Sequence, residues 1–411
     1  MQIRKSGKRG RKRARAASVS IADATYLPAL NATVGVERDT LSTTYDARAF
    51  GAGSRSQSQN SSSKYGVLNL SWVLFDFGKR GAVRHEVRAL LAAANAAQDD
   101  TLQAVFFNAS WAFYALRDAQ ASLDAARRTE AIAQESLAEA GAKRAAGAGA
   151  LLDELQARTS YRRAVLERVS AEGDARGAQG ALAVAMGMDA NVPVQIAPLE
   201  HTPEVSGELA ADVDRLIDEA KQRRPKLLAA RAKLDAVNAK VDAARAEGRP
   251  TISLVGSFAQ NNPSYQQQPQ SIPVTGSRGG TIGVQLTIPL FAGFASGYRL
   301  AQEQAQADAQ DAIVQDTELQ VSLDVWRNYH NVRTDAANLS NSQELLADAQ
   351  RALDIARGRH KEGFGTFTEL LNAQTALADA QKLRLLAVSK WRTARLGLAA
   401  SLGKLELWTA D

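Results

Sequence analysis

The side chains best suited to catalysis or metal binding are sparse in this sequence and form no recognisable site. There is no cysteine, which excludes a thiolate nucleophile, a disulfide and a zinc–thiolate site. The histidines are scattered along the chain at His85, His201, His330 and His360. No two of them have the spacing of metal ligands on one helix, and Gly147 and Gly149 lack the context of a phosphate-binding loop. The sequence therefore predicts no enzyme, no cofactor and no metal site.

Four stretches alternate between apolar and polar side chains, as strands do when their two faces meet different surroundings. In the clearest of them, Ile282, Val284 and Leu286 share one face, whereas Gly283 and Gln285 lie on the other. The predicted strands cover residues 27–38, 65–76, 251–260 and 281–291. Long polar segments join them into two hairpins, 27–76 and 250–292. Each strand has about ten residues, the length of a tilted strand that crosses a bilayer.

The two halves of the chain are related by a fixed offset of 216 residues. Leu-Ser-Trp-Val-Leu-Phe at 70–75 matches Leu-Thr-Ile-Pro-Leu-Phe at 286–291, and Met-Gly at 186–187 matches Leu-Gly at 402–403. The same offset carries Asp153 onto Glu369. Agreement of separate landmarks on one offset indicates an internal duplication. We therefore predict a first repeat over residues 22–192 and a second over 250–411.

Each hairpin precedes a long stretch without proline, and glycine clusters at 141–149 and 358–365 interrupt these stretches. Two helices per repeat are predicted: 80–145 and 150–187, then 295–361 and 366–403. Their apolar residues keep a spacing of three and four, which is typical of coiled-coil seams. Aromatic residues make up only 6% of the chain and many seam positions are alanine, so close packing of small side chains is expected.

Two segments lie outside the repeats. Residues 193–249 contain isolated prolines and are predicted to be a connector with two short helices, one near residue 208 and one after Pro225. Residues 1–21 carry eight basic side chains and no acid before residue 16, and no apolar signal segment follows them. We interpret this segment as a disordered or mis-assigned start of a chain that is truncated at its N-terminus.

Four strands cannot close a barrel, because closure takes about eight or more. If the strands span a membrane, two or three protomers must share one wall, and the helices would form a tube beside it. Such an assembly would conduct solutes. The alternative is a soluble coiled-coil scaffold, periplasmic or cytoplasmic, whose basic arm binds nucleic acid or an anionic membrane. That alternative leaves the duplicated, bilayer-length strands unexplained.

Several phrases in this architecture resemble the TolC family of outer membrane efflux proteins over residues 22–405. They are Leu-Ser-Trp-Val-Leu-Phe-Asp-Phe-Gly at 70–78, Leu-Thr-Ile-Pro-Leu-Phe-Ala-Gly at 286–293, Arg-Arg-Pro-Lys-Leu at 223–227, and Glu-Leu-Leu-Asn-Ala-Gln at 369–374 after Gly363. The resemblance implies a homotrimer in the Gram-negative outer membrane, with a twelve-stranded β-barrel above a periplasmic α-helical barrel. It also implies the function of an exit duct in tripartite efflux or type I secretion, with a periplasmic adaptor and an inner-membrane pump as partners and no nucleic acid.

The resemblance also implies where the duct closes and where the adaptor docks. In this family the glycine-marked helix turns form the periplasmic tip, and the matching docking candidates here are Arg144, Gly147, Gly149, Lys361, Gly363 and Gly365. Acidic residues near the turns close the constriction. The matching gate candidates are Asp153, Glu369, Asn372 and His360, and His360 is expected to pair with Asp153.

Two departures from the family pattern concern this gate. Asn372 stands where a second acid can occur, and Gly365 stands where some members carry an arginine, so the lock is weaker or built differently. Glu369 also has a simpler interpretation, as an acid favoured by the dipole of a helix N-terminus. A ring of carboxylates would attract cations, so the closed state is expected to be cation-selective.

Overall fold

The computed structural model describes residues 2–45, 55–196, 212–265 and 276–405. Seven helices and four strands follow one another in these ranges: α1 (Gln2–Ala24), β1 (Ala29–Tyr45), β2 (Arg55–Phe75), α2 (Lys79–Ala145), α3 (Leu151–Met186), α4 (Val213–Arg223), α5 (Pro225–Glu247), β3 (Thr251–Tyr265), β4 (Ser277–Thr287), α6 (Ala295–Lys361) and α7 (Phe367–Ser401). Among the described helices, none has an 18-residue window apolar enough to cross a membrane.

The chain divides into two compact units, and each unit draws on both sequence repeats. One contains residues 93–231 and 313–411 together with the first eleven residues, and the other contains 12–92 and 232–312. The boundaries differ from the repeat boundaries because the two hairpins pair into one sheet and the helices of both repeats pack together. The two sequence repeats therefore do not correspond to the two compact units.

The sheet has the order β1-β2-β3-β4, and every pairing is antiparallel. Leu68 in β2 lies opposite Ala32 in β1 and Phe258 in β3, so residues of the predicted apolar face are neighbours across the strands. This face is exposed: Val34 retains 86% of its accessible surface and Ile282 retains 75%. A water-soluble sheet normally buries such a face.

The strand ends differ from the prediction. The strands of the first hairpin are longer than predicted, because β1 runs to Tyr45 and β2 begins at Arg55, within the segment expected to be a polar loop. Their serine and threonine residues pair directly, for example Ser42 with Ser58. By contrast, β4 ends at Thr287 rather than at residue 291, because Pro289 has no N–H group to continue the ladder.

The N-terminal segment also differs from the prediction. Residues expected to be disordered form the helix α1, and the chain leaves it in a turn where the Thr25 hydroxyl donates to the Ala22 carbonyl at 2.7 Å. The segment has no proline before residue 28, and alanine, arginine and lysine are good helix formers. Composition alone therefore did not justify the prediction of disorder.

The predicted long helices are confirmed to within two residues at each end. Their seam is largely buried: Leu116, Val325, Leu339 and Leu353 are 2% exposed or less. Leu102, at the start of the predicted seam, is instead 39% exposed. In the connector, Pro225 opens α5 as expected, whereas the start predicted near residue 208 lies outside the described residues.

Candidate functional site

The two helix turns of the predicted tip have the same backbone structure. At the first, the Gly147 N–H donates to the Arg144 carbonyl at 2.9 Å; at the second, the Gly363 N–H donates to the His360 carbonyl at 3.1 Å. Both glycines have positive φ angles, 74° and 78°. This is the left-handed conformation that ends a helix most easily at glycine. The duplication therefore extends to the geometry of the turns.

Each turn contains a second glycine, Gly149 or Gly365, which packs closely against the end of the preceding helix. A Cβ atom at Gly149 would lie 2.9 Å from the backbone nitrogen of Arg144, and one at Gly365 would lie 3.0 Å from the Arg359 Cβ. At Gly149 a side chain would force the turn to shift, and at Gly365 it would push the Arg359 side chain aside by a few tenths of an ångström. The turns themselves therefore favour the glycine pairs that the resemblance marked, whatever binds there.

The helices that leave the two turns begin differently. Helix α7 has a side-chain cap, because the Thr366 hydroxyl accepts from the Glu369 N–H at 3.1 Å. The corresponding residue before α3 is Ala150, which has no side chain that can accept this bond. The first tip therefore lacks a cap that the second has.

An ion-pair cluster ties the first turn together. Glu154, in the first turn of α3, accepts hydrogen bonds from Arg144 at the end of α2 and from Arg158 one turn further along α3. The hydrogen bond from Arg144, with the charges of both guanidinium groups, lowers the pKa of the Glu154 carboxyl. Glu154 therefore links the two helices while it is ionised.

The predicted gate residues near the second turn lie mostly at the surface. Glu369 is exposed and lies 3.8 Å from the Arg359 guanidinium, so it contributes an ion pair as well as the helix-start acid expected from the dipole. Asn372 is exposed, and Asp153, which follows the first turn, is half-buried. The docking candidate Lys361 is exposed as well. These residues border the tip on α6, α7 and α3.

His360 joins the two tips, although its partners differ from the predicted one. Its Nε2 lies 3.0 Å from the Lys143 Nζ and 3.7 Å from a Glu139 carboxylate oxygen, rather than against Asp153. Because an ammonium group can only donate, a hydrogen bond between these two atoms requires Nε2 to carry no proton. The centre of the His360 ring lies 5.7 Å from the centre of the Phe367 ring. The predicted pairing with Asp153 was therefore wrong, because Lys143 and Glu139 at the end of α2 lie against the His360 ring.

Lys143 and Glu139 were not identified from the sequence. Their spacing of four residues is typical of a helix ion pair, and Lys143 lies 2.7 Å from Glu139. The hydrogen bond from Lys143 is the largest effect that lowers the pKa of the Glu139 carboxyl. The spacing could have indicated this pair, but nothing local indicated that His360, 217 residues further along, would join it.

An apolar core holds the tip helices together behind these polar groups. It contains Ala140, Ala157, Ala349, Leu353, Phe367, Leu370, Leu371, Leu377 and Ala380, from α2, α3, α6 and α7. Each of the four helices contributes an alanine to this core, which lets the helix backbones approach closely. Thr368 on α7 also donates to the Gln156 side-chain oxygen on α3 at 3.2 Å.

Comparison with known proteins identifies the class of molecule that has this architecture. The family described as outer membrane efflux protein matches residues 9–188 and 216–404. This chain belongs to the outer membrane efflux protein family. Its similarity to Protein CyaE of Bordetella pertussis is 30% identity over 400 residues, covering 97% of this chain and 81% of CyaE.

Two further proteins extend the comparison. Outer membrane protein TolC of Salmonella enteritidis is 22% identical over 350 residues, which cover 84% of this chain and 70% of TolC. The structure of the outer-membrane channel OprN superimposes with a TM-score of 0.82 at 21% identity, covering 97% of this chain and 86% of OprN. The likeness to OprN confirms the predicted fold class.

Family membership confirms the function and location expected from the sequence. This outer membrane efflux protein is an exit duct, with its strands in the outer membrane and its helices in the periplasm. Channels of this family are trimeric and work with adaptor proteins and inner-membrane pumps, and they are not enzymes. The family therefore favours the duct over the alternative of a soluble coiled-coil scaffold.

Proposed function

We propose that three copies of this chain close into one duct, that the helix tips form its gate, and that a periplasmic adaptor docks at the same tips. The duct would receive its substrate from an inner-membrane pump held by that adaptor. Each of these three steps has its own structural support.

The edges of the sheet support closure by several copies. Among the described strands, β1 and β4 are the outer ones, and each has one edge without a partner strand. Unpaired edges of long strands are normally covered or blocked. Because β1 and β4 run antiparallel, the β4 edge of one copy can pair with the β1 edge of the next, and three copies supply twelve strands.

The acidic residues near the tips support a gate. Asp153 and Glu369 occupy equivalent positions in the two repeats, so three copies would place six carboxyl groups around one opening. Like charges in a narrow mouth repel one another and attract cations. The gate would therefore be cation-selective when closed.

The surface of the tips supports docking. Arg144, Gly147, Lys361 and Gly363 are exposed, whereas Gly149 and Gly365 are half-buried inside the turns. Bare backbone at glycine turns lets a partner approach closely, and the basic side chains beside them favour an acidic partner surface. In this proposal the adaptor contacts the four exposed residues, Arg144, Gly147, Lys361 and Gly363.

Planar-bilayer recording tests the gate. We expect the purified protein to show a small, cation-preferring conductance, and the double variant Asp153→Asn/Glu369→Gln to lose that preference and conduct several-fold more. Asp174→Asn, which removes an exposed carboxylate further along α3, is the matched control and should behave as the unaltered protein. Equal conductance and selectivity in the double variant and the control would remove Asp153 and Glu369 from the gate.

A further inference from the structure

A cavity of about 270 Å³ lies among α2, α3, α6 and α7, away from the predicted gate and docking residues. Ala133, Ala164, Leu353 and Leu377 line its floor, and all four are buried. The cavity is large enough for a small ring compound, and its floor offers that compound an apolar surface.

Three arginines surround this floor: Arg128 on α2, Arg163 on α3 and Arg357 on α6. Arg163 is partly engaged, since its Nε donates to Glu167 at 3.3 Å. Within the part of the chain that the structure describes, the guanidinium groups of Arg128 and Arg357 have no ion pair and no hydrogen bond. Guanidinium groups at an apolar cavity are suited to bind a carboxylate.

Apart from Asp379, the remaining polar groups of the wall are neutral or already engaged. Gln374 donates to the Ser136 hydroxyl at 3.0 Å, and the Thr375 hydroxyl donates to the Leu371 carbonyl at 2.9 Å. Asp379 also lines the cavity and is exposed. With Glu167 paired to Arg163, the two unengaged arginines outweigh this single carboxylate, so the wall favours an anion.

We propose that this cavity binds a small organic carboxylate with a compact apolar body, such as an aromatic acid. The ring would lie on the apolar floor, and the carboxylate would accept hydrogen bonds from Arg128 and Arg357. Because these arginines belong to different repeats, the bound anion ties α2 to α6. Binding therefore stabilises the packing of the two helix pairs behind the tips.

Isothermal titration calorimetry of the full chain in detergent tests this site, with 1-naphthoate as the probe and neutral 1-naphthalenemethanol beside it. We expect saturable binding of the acid, with the alcohol at least tenfold weaker. The double variant Arg128→Gln/Arg357→Gln should bind the acid at least tenfold more weakly. Arg351→Gln is the matched control, because Arg351 lies on α6, is exposed and pairs with Asp348 at 3.5 Å.

A second variant separates loss of the site from loss of folding. Ala164→Phe fills the floor and should abolish binding of the acid while the helical circular dichroism and the midpoint of thermal unfolding stay close to those of the unaltered protein. The proposal is overturned if the alcohol binds as tightly as the acid, if the arginine double variant binds normally, or if no saturable heat appears up to millimolar probe. None of these outcomes concerns conductance, so the proposed gate is tested independently of this cavity.

Discussion

Arg80 illustrates how one side chain fixes the junction between a strand and a helix. Its Nε donates to Asp76 at 2.8 Å, and its Nη1 donates to the carbonyls of Val73 and Thr25 at 2.7 Å and 3.1 Å. The guanidinium also lies 4.7 Å from the centre of the Tyr26 ring. These bonds tie the end of β2, the start of α2 and the segment after α1 to one another.

The second repeat lacks this junction. The residues 216 positions after Asp76 and Arg80 are Ala292 and Ser296, which cannot form the same ion pair. Phe291 and Phe294 beside them remain exposed. The two repeats thus have the same elements, but their connections between strand and helix are held by different side chains.

Replacing Arg80 should therefore destabilise the fold much more than replacing its counterpart. Arg80→Ala leaves the Val73 and Thr25 carbonyls without their donor and should lower the free energy of unfolding by about 2–3 kcal/mol. Ser296→Ala, the control at the equivalent position, should change it by less than about 0.5 kcal/mol. Urea unfolding followed by tryptophan fluorescence measures both. Equal effects of the two substitutions would contradict the assigned role.

Glu154 predicts a pH dependence at the first tip. Its pKa in the folded chain lies below the ordinary value of 4.5, chiefly because Arg144 donates a hydrogen bond to it. A lowered pKa means that the ionised carboxylate contributes its stabilisation fully above pH 4.5 and loses it as the pH falls through the folded pKa. Hydrogen-exchange protection of residues 145–152 should decrease over that range.

Two variants make this test specific. Glu154→Gln should abolish the decrease in protection, since its side chain does not titrate. Glu167→Gln removes another glutamate of α3 that pairs with an arginine, at 3.3 Å from Arg163, and should retain the decrease. A decrease that persists in Glu154→Gln would show that another group titrates at the tip.

At the scale of elements, the two tips differ in how their outgoing helices begin. Thr366→Ala should lower the stability of the first turn of α7 by about 1 kcal/mol, because it removes the acceptor of the Glu369 N–H. The reciprocal substitution, Ala150→Thr, should stabilise the first turn of α3 by a similar amount. Hydrogen exchange of residues 151–154 and 367–370 measures both effects. If Ala150→Thr gave no added protection, the missing cap would not be what distinguishes the tips.

The elements also show what a sequence can and cannot predict. The long helices could be bounded closely because glycine and proline mark their ends locally. The strand ends could not, since Tyr45 and Arg55 belong to strands only through pairing with each other. The tip turns were predicted from their glycines, whereas the contact between His360 and Lys143 joins positions 217 residues apart and depends on tertiary packing.

At the scale of the whole molecule, the open sheet requires an explanation that a single copy does not provide. Its apolar face is exposed and its outer strands each have one free edge among the described strands. A lipid bilayer accounts for the face, and neighbouring copies account for the edges. We therefore expect β4 of one copy to pair with β1 of the next until three copies close.

Disulfide cross-linking in the outer membrane tests this strand pairing, because the chain has no cysteine of its own. Thr33→Cys in β1 is combined with Gln285→Cys or Gly283→Cys in β4, and the control pair is Asn69→Cys with Ser257→Cys, which lie opposite each other in β2 and β3. We predict covalent dimers and trimers from the edge pairs and monomers from the control. If the edge pairs yield only monomers in protein recovered from the outer membrane, β4 of one copy does not pair with β1 of the next.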